Sequence, residues 1–369
     1  MTVPTATPAR TTSSAKAAAG GPRVERPSMN EFSRIGVDLG KGFFQVHGLP
    51  LDDGAAMKRK LSGGKMRAFF AQLAPCRVGM EACGSAHYWA RELAAMGHQV
   101  VLMAPAYIKP YVKRGKNDAV DAAAICEAMS RPDMRFVPVK SAVQQAVLMQ
   151  HKTRELLVKQ RTMSVNALRS HLAEFGIVVA RGIGRIDALS ELAEKDPSLP
   201  QEAREMAKLL TLHLEALTRS IDAIERKIAK ASAGSKTMRL LDRIPGVGPL
   251  TASAIAASVP DPGVFKSGRD FAAWLGLTPR QNSSGGKAKR GGVSKQGNPY
   301  IRKLLVVGST SVLRHAGKRK GALAEWIAAL RARKPERLVA VALANKLART
   351  CWAIMTTGEF FRQEAFARA

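Results

Sequence analysis

Short β-rich runs punctuated by glycine open the patterned part of the chain, and long helical periodicity follows. Residues 35–38 and 43–47 flank Leu39-Gly-Lys-Gly42, which predicts a hairpin of two adjacent strands. A third strand is expected over 56–61, a helix over 65–73, a buried strand over 76–80, a helix over 87–96 and a strand over 99–103. A further helix opens at Asp118 and runs to about Arg131, where Pro132 stops it. Three strands in series followed by alternating helix and strand are the order of an α/β ribonuclease-H-like domain, assigned here to residues 34–140.

The texture of residues 141–235 is helical. Leu148, Leu156, Leu157, Val165 and Leu168 mark one face of a long helix, and Leu209, Leu212, Leu214, Leu217, Ile221, Ile224 and Ile228 mark another. Between them, residues 176–200 read as a loop-rich turn containing Gly182 and Gly184. Such spacing suits a helical hairpin or coiled coil that separates two domains and pairs chains. A third, mainly α region covers 236–369. It begins near Arg243-Ile-Pro-Gly-Val-Gly-Pro249, followed by a helix over 250–257. That loop resembles the hairpin of helix-hairpin-helix modules, in which backbone N–H groups, here around Gly246 and Gly248, bind a nucleic-acid phosphate. A plain glycine turn satisfies the same pattern. Residues 1–33, rich in Ala, Thr, Ser and Pro and lacking an apolar segment of signal-peptide type, read as a disordered tail.

Charge then narrows the partner. The 369 residues carry 58 Lys and Arg against 29 Asp and Glu, a formal net charge of +29, which calls for a polyanion. Between 266 and 349 there are nineteen Lys and Arg against Asp270, Glu325 and Glu336 alone, so this segment is the expected nucleic-acid grip. Lys287, Lys289, Arg290, Lys295, Arg302 and Lys303 lie within it. A membrane surface would also suit the charge, but no apolar run reaches the ~18 residues of a spanning helix, so the expectation is a cytoplasmic protein without a membrane partner. Cys76, Cys83, Cys126 and Cys351 show no CxxC spacing, and the seven histidines show no metal-ligand spacing, which disfavours zinc and disulfides. Trp274, Trp326 and Trp352 sit in apolar helical contexts and are expected in the core.

Four carboxylates carry the candidate chemistry. Asp38 ends the first strand, Glu81 lies at the end of the strand over 76–80, and Asp118 and Asp121 open a helix three residues apart, on one face. Strands one and four are neighbours in the expected topology, so all four acids can reach one sheet edge. Such a cluster repels itself unless a divalent cation neutralises it. The alternative for Asp118 and Asp121 is a helix cap and a first-turn acid favoured by the helix dipole. A second cluster, 277–302, places Ser283 and Ser284 beside glycines and cations, where a serine could attack a phosphodiester.

These residues resemble a known family. Ile35-Gly-Val-Asp-Leu-Gly40, Gly79-Met-Glu-Ala-Cys83, Lys116-Asn-Asp-Ala-Val-Asp-Ala122, Ser283-Ser-Gly-Gly286 and Ser294-Lys-Gln-Gly-Asn-Pro299 are similar to the motifs of the DEDD transposases of bridge-RNA-guided insertion sequences. The resemblance spans about 34–349. It implies a RuvC-like first domain whose Asp38, Glu81, Asp118 and Asp121 bind Mg²⁺ or Mn²⁺. It also implies a serine that becomes joined to DNA during strand exchange, matched best by Ser284 with Ser283 as its neighbour. Donor and target DNA, an element-encoded guide RNA and a homo-oligomer, dimer or tetramer, are the implied partners. Two other classes share parts of the pattern. Val37-Asp-Leu-Gly40 also resembles the first phosphate loop of sugar-kinase-type ATPases, which need a second loop and an adenosine motif that are not found here. A junction endonuclease would use the acids without a serine.

Overall fold

A computed structural model of the protein describes residues 32–52, 54–113, 118–180, 182–283, 289–318 and 320–362, and for Asp118, Ile183 and Arg290 the backbone alone. The chain divides into two compact units, 1–137 and 138–369.

The first unit is built on a six-stranded sheet. Its strands are β1 (Phe32–Leu39), β2 (Phe43–Pro50), β3 (Met57–Ser62), β4 (Arg77–Glu81), β5 (Gln99–Met103) and β6 (Phe136–Val137), in the order β3-β2-β1-β4-β5-β6. β1, β2 and β3 are antiparallel neighbours, β1, β4 and β5 are parallel, and β6 closes the far edge antiparallel to β5. The helices are α1 (Gly63–Ala71), α2 (Ala86–Ala95), the short α3 (Pro105–Ile108) and α4 (Asp118–Ala128). The expected strand–helix order therefore appears, with boundaries shifted by a few residues and the two-residue β6 added.

Alternation along β2 explains the layering. Phe44 and Val46 are buried while Phe43, Gln45 and His47 are not, so the strand presents two different faces. Phe44 meets Trp89 of α2 edge to face, and Arg59 of β3 lies over Phe69 of α1, which puts α1 and α2 on the Phe44 face. α4 covers the opposite face. There Met103, Ile108, Ala124, Ile125, Cys126 and Met129 form a cluster.

The second unit begins with α5 (Ala142–Ala173), capped by a reciprocal pair of hydrogen bonds between Ser141 and Gln144. It pairs antiparallel with α7 (Gln201–Gly234), as the Arg154–Glu225 ion pair and the Arg161–Thr218 hydrogen bond mark. The seam of α7 is a heptad of Ala207, Leu214, Ile221 and Ile228, of which Ala207 and Leu214 cluster with Val165, Leu168 and Leu172 near the end of α5. Leu156, Leu209 and Leu212, expected on the packed faces, are instead more than half exposed, because a heptad seam is narrower than the stripe of every apolar residue. The stretch expected to be loop-rich contains a helix, α6 (Ile186–Lys195). Its Ile186, Leu189 and Ala193 close the same cluster.

The remaining elements are α8 (Lys236–Asp242), α9 (Pro249–Ser258), α10 (Gly268–Trp274), a hairpin of β7 (Pro279–Gln281) and β8 (Arg290–Val293), α11 (Pro299–Arg314), α12 (Ala322–Arg331) and α13 (Glu336–Thr357). α13 is long and apolar enough to cross a membrane by length and composition. Its Val339, Leu343, Leu347 and Cys351 pack with Ile255, Phe271, Leu275, Ile301 and Leu305 in the core of this unit. Buried His151 ties α5 to this core through Ser253 of α9 and Tyr300 of α11, each at 3.1 Å. Burial and then the Arg154 charge push its pKa down to about 4, so the ring is neutral and serves as a hydrogen-bonding strut.

Candidate active site

The acidic site is assembled by two glycines. Gly36 of β1 and Gly79 of β4 are register partners at the middle of the sheet. A Cβ on Gly36 would lie 2.2 Å from the Ala122 carbonyl oxygen and 2.7 Å from the Cys126 nitrogen, so the backbone of α4 rests directly on β1. At Gly79 the neighbours would be Met129, Met103 and Ile125. The Cys126 thiol points to the Arg34 carbonyl at 3.9 Å, whereas Ala122 sits at Gly36, so α4 runs antiparallel to β1. Its N-terminus therefore projects toward the end of β1 and β4, where Asp38 and Glu81 stand.

Register places those two acids side by side. Val37 pairs with Met80, so Asp38 and Glu81 follow as lateral neighbours, about 4.8 Å apart in backbone spacing and on the α4 face with Gly36 and Gly79. Asp121, one turn into α4, completes the group, and all three are half-buried. The Glu81 carboxyl is held above its usual pKa, first by burial and then by the Asp121 charge. Glu81 and Asp121 thus share one field. Asp118 opens α4 a turn earlier; its side chain lies outside the described residues, and among those described no three acidic, His or Cys side chains form a ready metal cage. Hard carboxylate oxygens in a partly desolvated, self-repelling group are the donor chemistry that suits Mg²⁺ or Mn²⁺.

The second unit holds the other candidate residues. Ser284 and Lys287 lie outside the described residues, while Ser283 and Lys289 are exposed at the tip of the β7–β8 hairpin. The Asn282 N–H donates to the Lys289 carbonyl at 2.9 Å and closes that hairpin. The Arg302 guanidinium donates to the Leu275 and Gln296 carbonyls at 2.9 and 2.7 Å, holding the loop before α11 rather than standing clear for a phosphate. Lys303 pairs with Glu155 at 3.3 Å, and Lys295 is exposed in a left-handed conformation, φ 56°. Gly246 has φ +86° and packs against Gly308 of α11, where a Cβ would fall 1.9 Å from the Gly246 carbonyl oxygen. Gly248 precedes α9 without a side-chain cap, so the helix start is bounded by backbone alone.

Sequence reasoning named the acids but not the glycines that aim them. The signal was there, since a glycine inside a strand marks a close backbone approach.

Two family models match the chain: one described as a transposase, of the DEDD type, over residues 35–177, and one described as the transposase IS116/IS110/IS902 family over 238–325. A putative transposase of Sinorhizobium fredii is 48% identical over 340 residues, which are 92% of this chain and 88% of the relative. The transposase for insertion sequence element IS1328 of Yersinia enterocolitica is 39% identical, covering 90% of this chain and 99% of that protein. The transposase for insertion sequence element IS1111A of Coxiella burnetii is 38% identical, covering 92% and 94%. With an acidic edge in the first matched segment and a basic, glycine-rich hairpin in the second, the chain belongs to the IS110/IS116 family of insertion-sequence transposases, enzymes that cleave and rejoin DNA.

Proposed function

We propose that this transposase exchanges DNA strands through a covalent serine intermediate, using the acidic edge of a RuvC-like, ribonuclease-H-like first unit, and that a guide RNA encoded by the element selects its sites. The observation that carries the reading is the lateral row of Asp38 and Glu81 with the N-terminus of α4 aimed at it. Asp38, Glu81, Asp118 and Asp121 would hold Mg²⁺ or Mn²⁺, which supplies positive charge against the phosphate during cleavage. Ser284 attacks the phosphorus, an Oγ–P bond forms, one sugar O–P bond breaks, and the departing sugar oxygen takes up the proton that the serine loses. Lys287, Lys289 and Arg290 steady the phosphate charge. Because the serine ester keeps the energy of the phosphodiester, the reverse attack by a new sugar hydroxyl rejoins strands without an external energy source.

Delegating site choice to base pairing fits a chain with only 5% aromatic residues and a net charge of +29, which suits reading backbone and shape. Oligomerisation through the paired α5 and α7, and action in the cytoplasm, complete the proposal. The test is recombination by Asp38→Ala, Glu81→Ala, Asp118→Ala and Asp121→Ala, each with its melting temperature and its co-purified RNA. Loss of recombination in a folded, RNA-bound protein is expected for all four. Near-normal recombination in any one removes that residue from the site.

A further inference from the structure

A lateral row across the sheet joins the acids to a cationic shelf on its outer edge. Asp38 pairs with Gln45 of β2, and Gln45 pairs with Lys60 of β3. The next row carries Gly36, His47 and Lys58 in the same way. Laterally paired residues share a face, so Lys58 and Lys60 stand on the α4 face, the face of the acids. Both lysines are exposed. Two strand spacings separate Lys60 from Asp38, roughly 10 Å, or about three base steps of 3.4 Å along a duplex. The Lys60 ammonium sits 4.4 Å from the centre of the Phe43 ring, which is itself 53% exposed. The Lys58 charge, after burial, helps to hold the His47 pKa down, so this cation faces the same surface.

Charged residues on an edge strand also guard against edge-to-edge pairing. That role is indifferent to face. Arg59, between the two lysines, pairs with Val46 and lies over Phe69 on the opposite side of the sheet. The strand therefore contains its own control.

We infer that Lys58, Lys60 and Phe43 form a binding shelf for the sugar–phosphate backbone of the DNA strand entering the acidic site, leading the scissile phosphate along the sheet to Asp38 and Glu81. Lys58 and Lys60 neutralise flanking phosphates, and the Phe43 ring offers an apolar platform beside them. The inference rests on the proposed acidic site, but its test reads binding as well as cleavage.

The experiment compares full-length Lys58→Gln/Lys60→Gln with Arg59→Gln, measuring affinity for a labelled DNA duplex across a salt series in chelator, then strand cleavage against DNA concentration. Two lost phosphate contacts should make the log–log salt slope shallower by about 1.8, and raise the DNA concentration for half-maximal cleavage with little change in the saturating rate. Arg59→Gln should leave both as in the wild type. Phe43→Ser should weaken binding without altering the salt slope. Equal slopes for the double variant and the wild type, the same loss in Arg59→Gln, or aggregation as the only effect would each overturn the shelf. A slope change seen with a labelled RNA but not with DNA would overturn its assignment to DNA. If the shelf holds while the acid variants still recombine, the acidic site fails independently of it.

Discussion

Replacing Gly36 by alanine tests whether helix packing aims the acids. The added Cβ would stand 2.2 Å from the Ala122 carbonyl oxygen, 2.7 Å from the Cys126 nitrogen and 2.9 Å from the Cys126 Cβ. Carbon contacts in a packed interior settle near 3.5–4.0 Å, so α4 must lift from β1 by roughly 1 Å, and backbone atoms cannot rotate out of the way. Overpacking of this kind costs about 1–3 kcal/mol, and the upper end is expected here because two backbone atoms are involved. The lift also carries Asp121 away from Glu81. A misplacement of about 1 Å in a catalytic array costs roughly 100-fold in rate. Thermal melting and recombination rate, measured with Gly64→Ala as the control, separate the two effects. Among the described residues nothing lies within 4 Å of a Cβ at Gly64, in the first turn of α1, so that change should be neutral or stabilise by up to about 1 kcal/mol. A Gly36→Ala protein that melts lower yet recombines at the wild-type rate would refute the link between packing and catalysis.

Other outcomes follow from single contacts. Glu81→Gln removes a half-buried carboxylate that Asp121 repels, so metal-free protein should melt higher while recombination is lost; an unchanged or lower melting temperature would contradict the shared field. His151 is neutral in the folded chain, its pKa down at about 4 against an ordinary 6.5, so its stability contribution is full above about 6.5 and lost as pH falls toward 4. The loss should reach roughly 3 kcal/mol, and His151→Phe should remove that pH dependence while leaving the Ser253 and Tyr300 hydroxyls short of a partner, as melting curves down the pH range would show. Changing Lys287, Lys289 and Arg290 together to Ala should flatten the salt slope of DNA binding by about 2.7, whereas an unchanged slope would place those contacts elsewhere.

Much of the first unit was legible because β-rich runs and glycine punctuation are local signals, and β1 to β5 with their helices follow from them. The positions of the acids were legible for the same reason: strand ends and a helix start are recognisable. What could not be read is what depends on partners distant in sequence. Gly36 is ordinary in its own strand and decisive only because Ala122 and Cys126 return to it. Leu156 and Leu209 look like seam residues until the heptad of α7 selects Leu214 and Ile221. The helix at Ile186–Lys195 was hidden by the glycines before it, and Arg302 by its charge, which suggested phosphate where two carbonyls hold it.

The central claim is that an acidic edge and a serine act together to cleave and rejoin DNA. Trapping with a suicide DNA substrate, which releases its cleaved end so that rejoining fails, tests it most directly. The expected result is a denaturant-resistant protein–DNA adduct whose peptide map places the link at Ser284, absent from Ser284→Ala and from Asp38→Ala although both still bind DNA. A link at Ser283 would correct the assignment by one residue, and free cleaved ends with no adduct would contradict the serine mechanism in favour of hydrolysis.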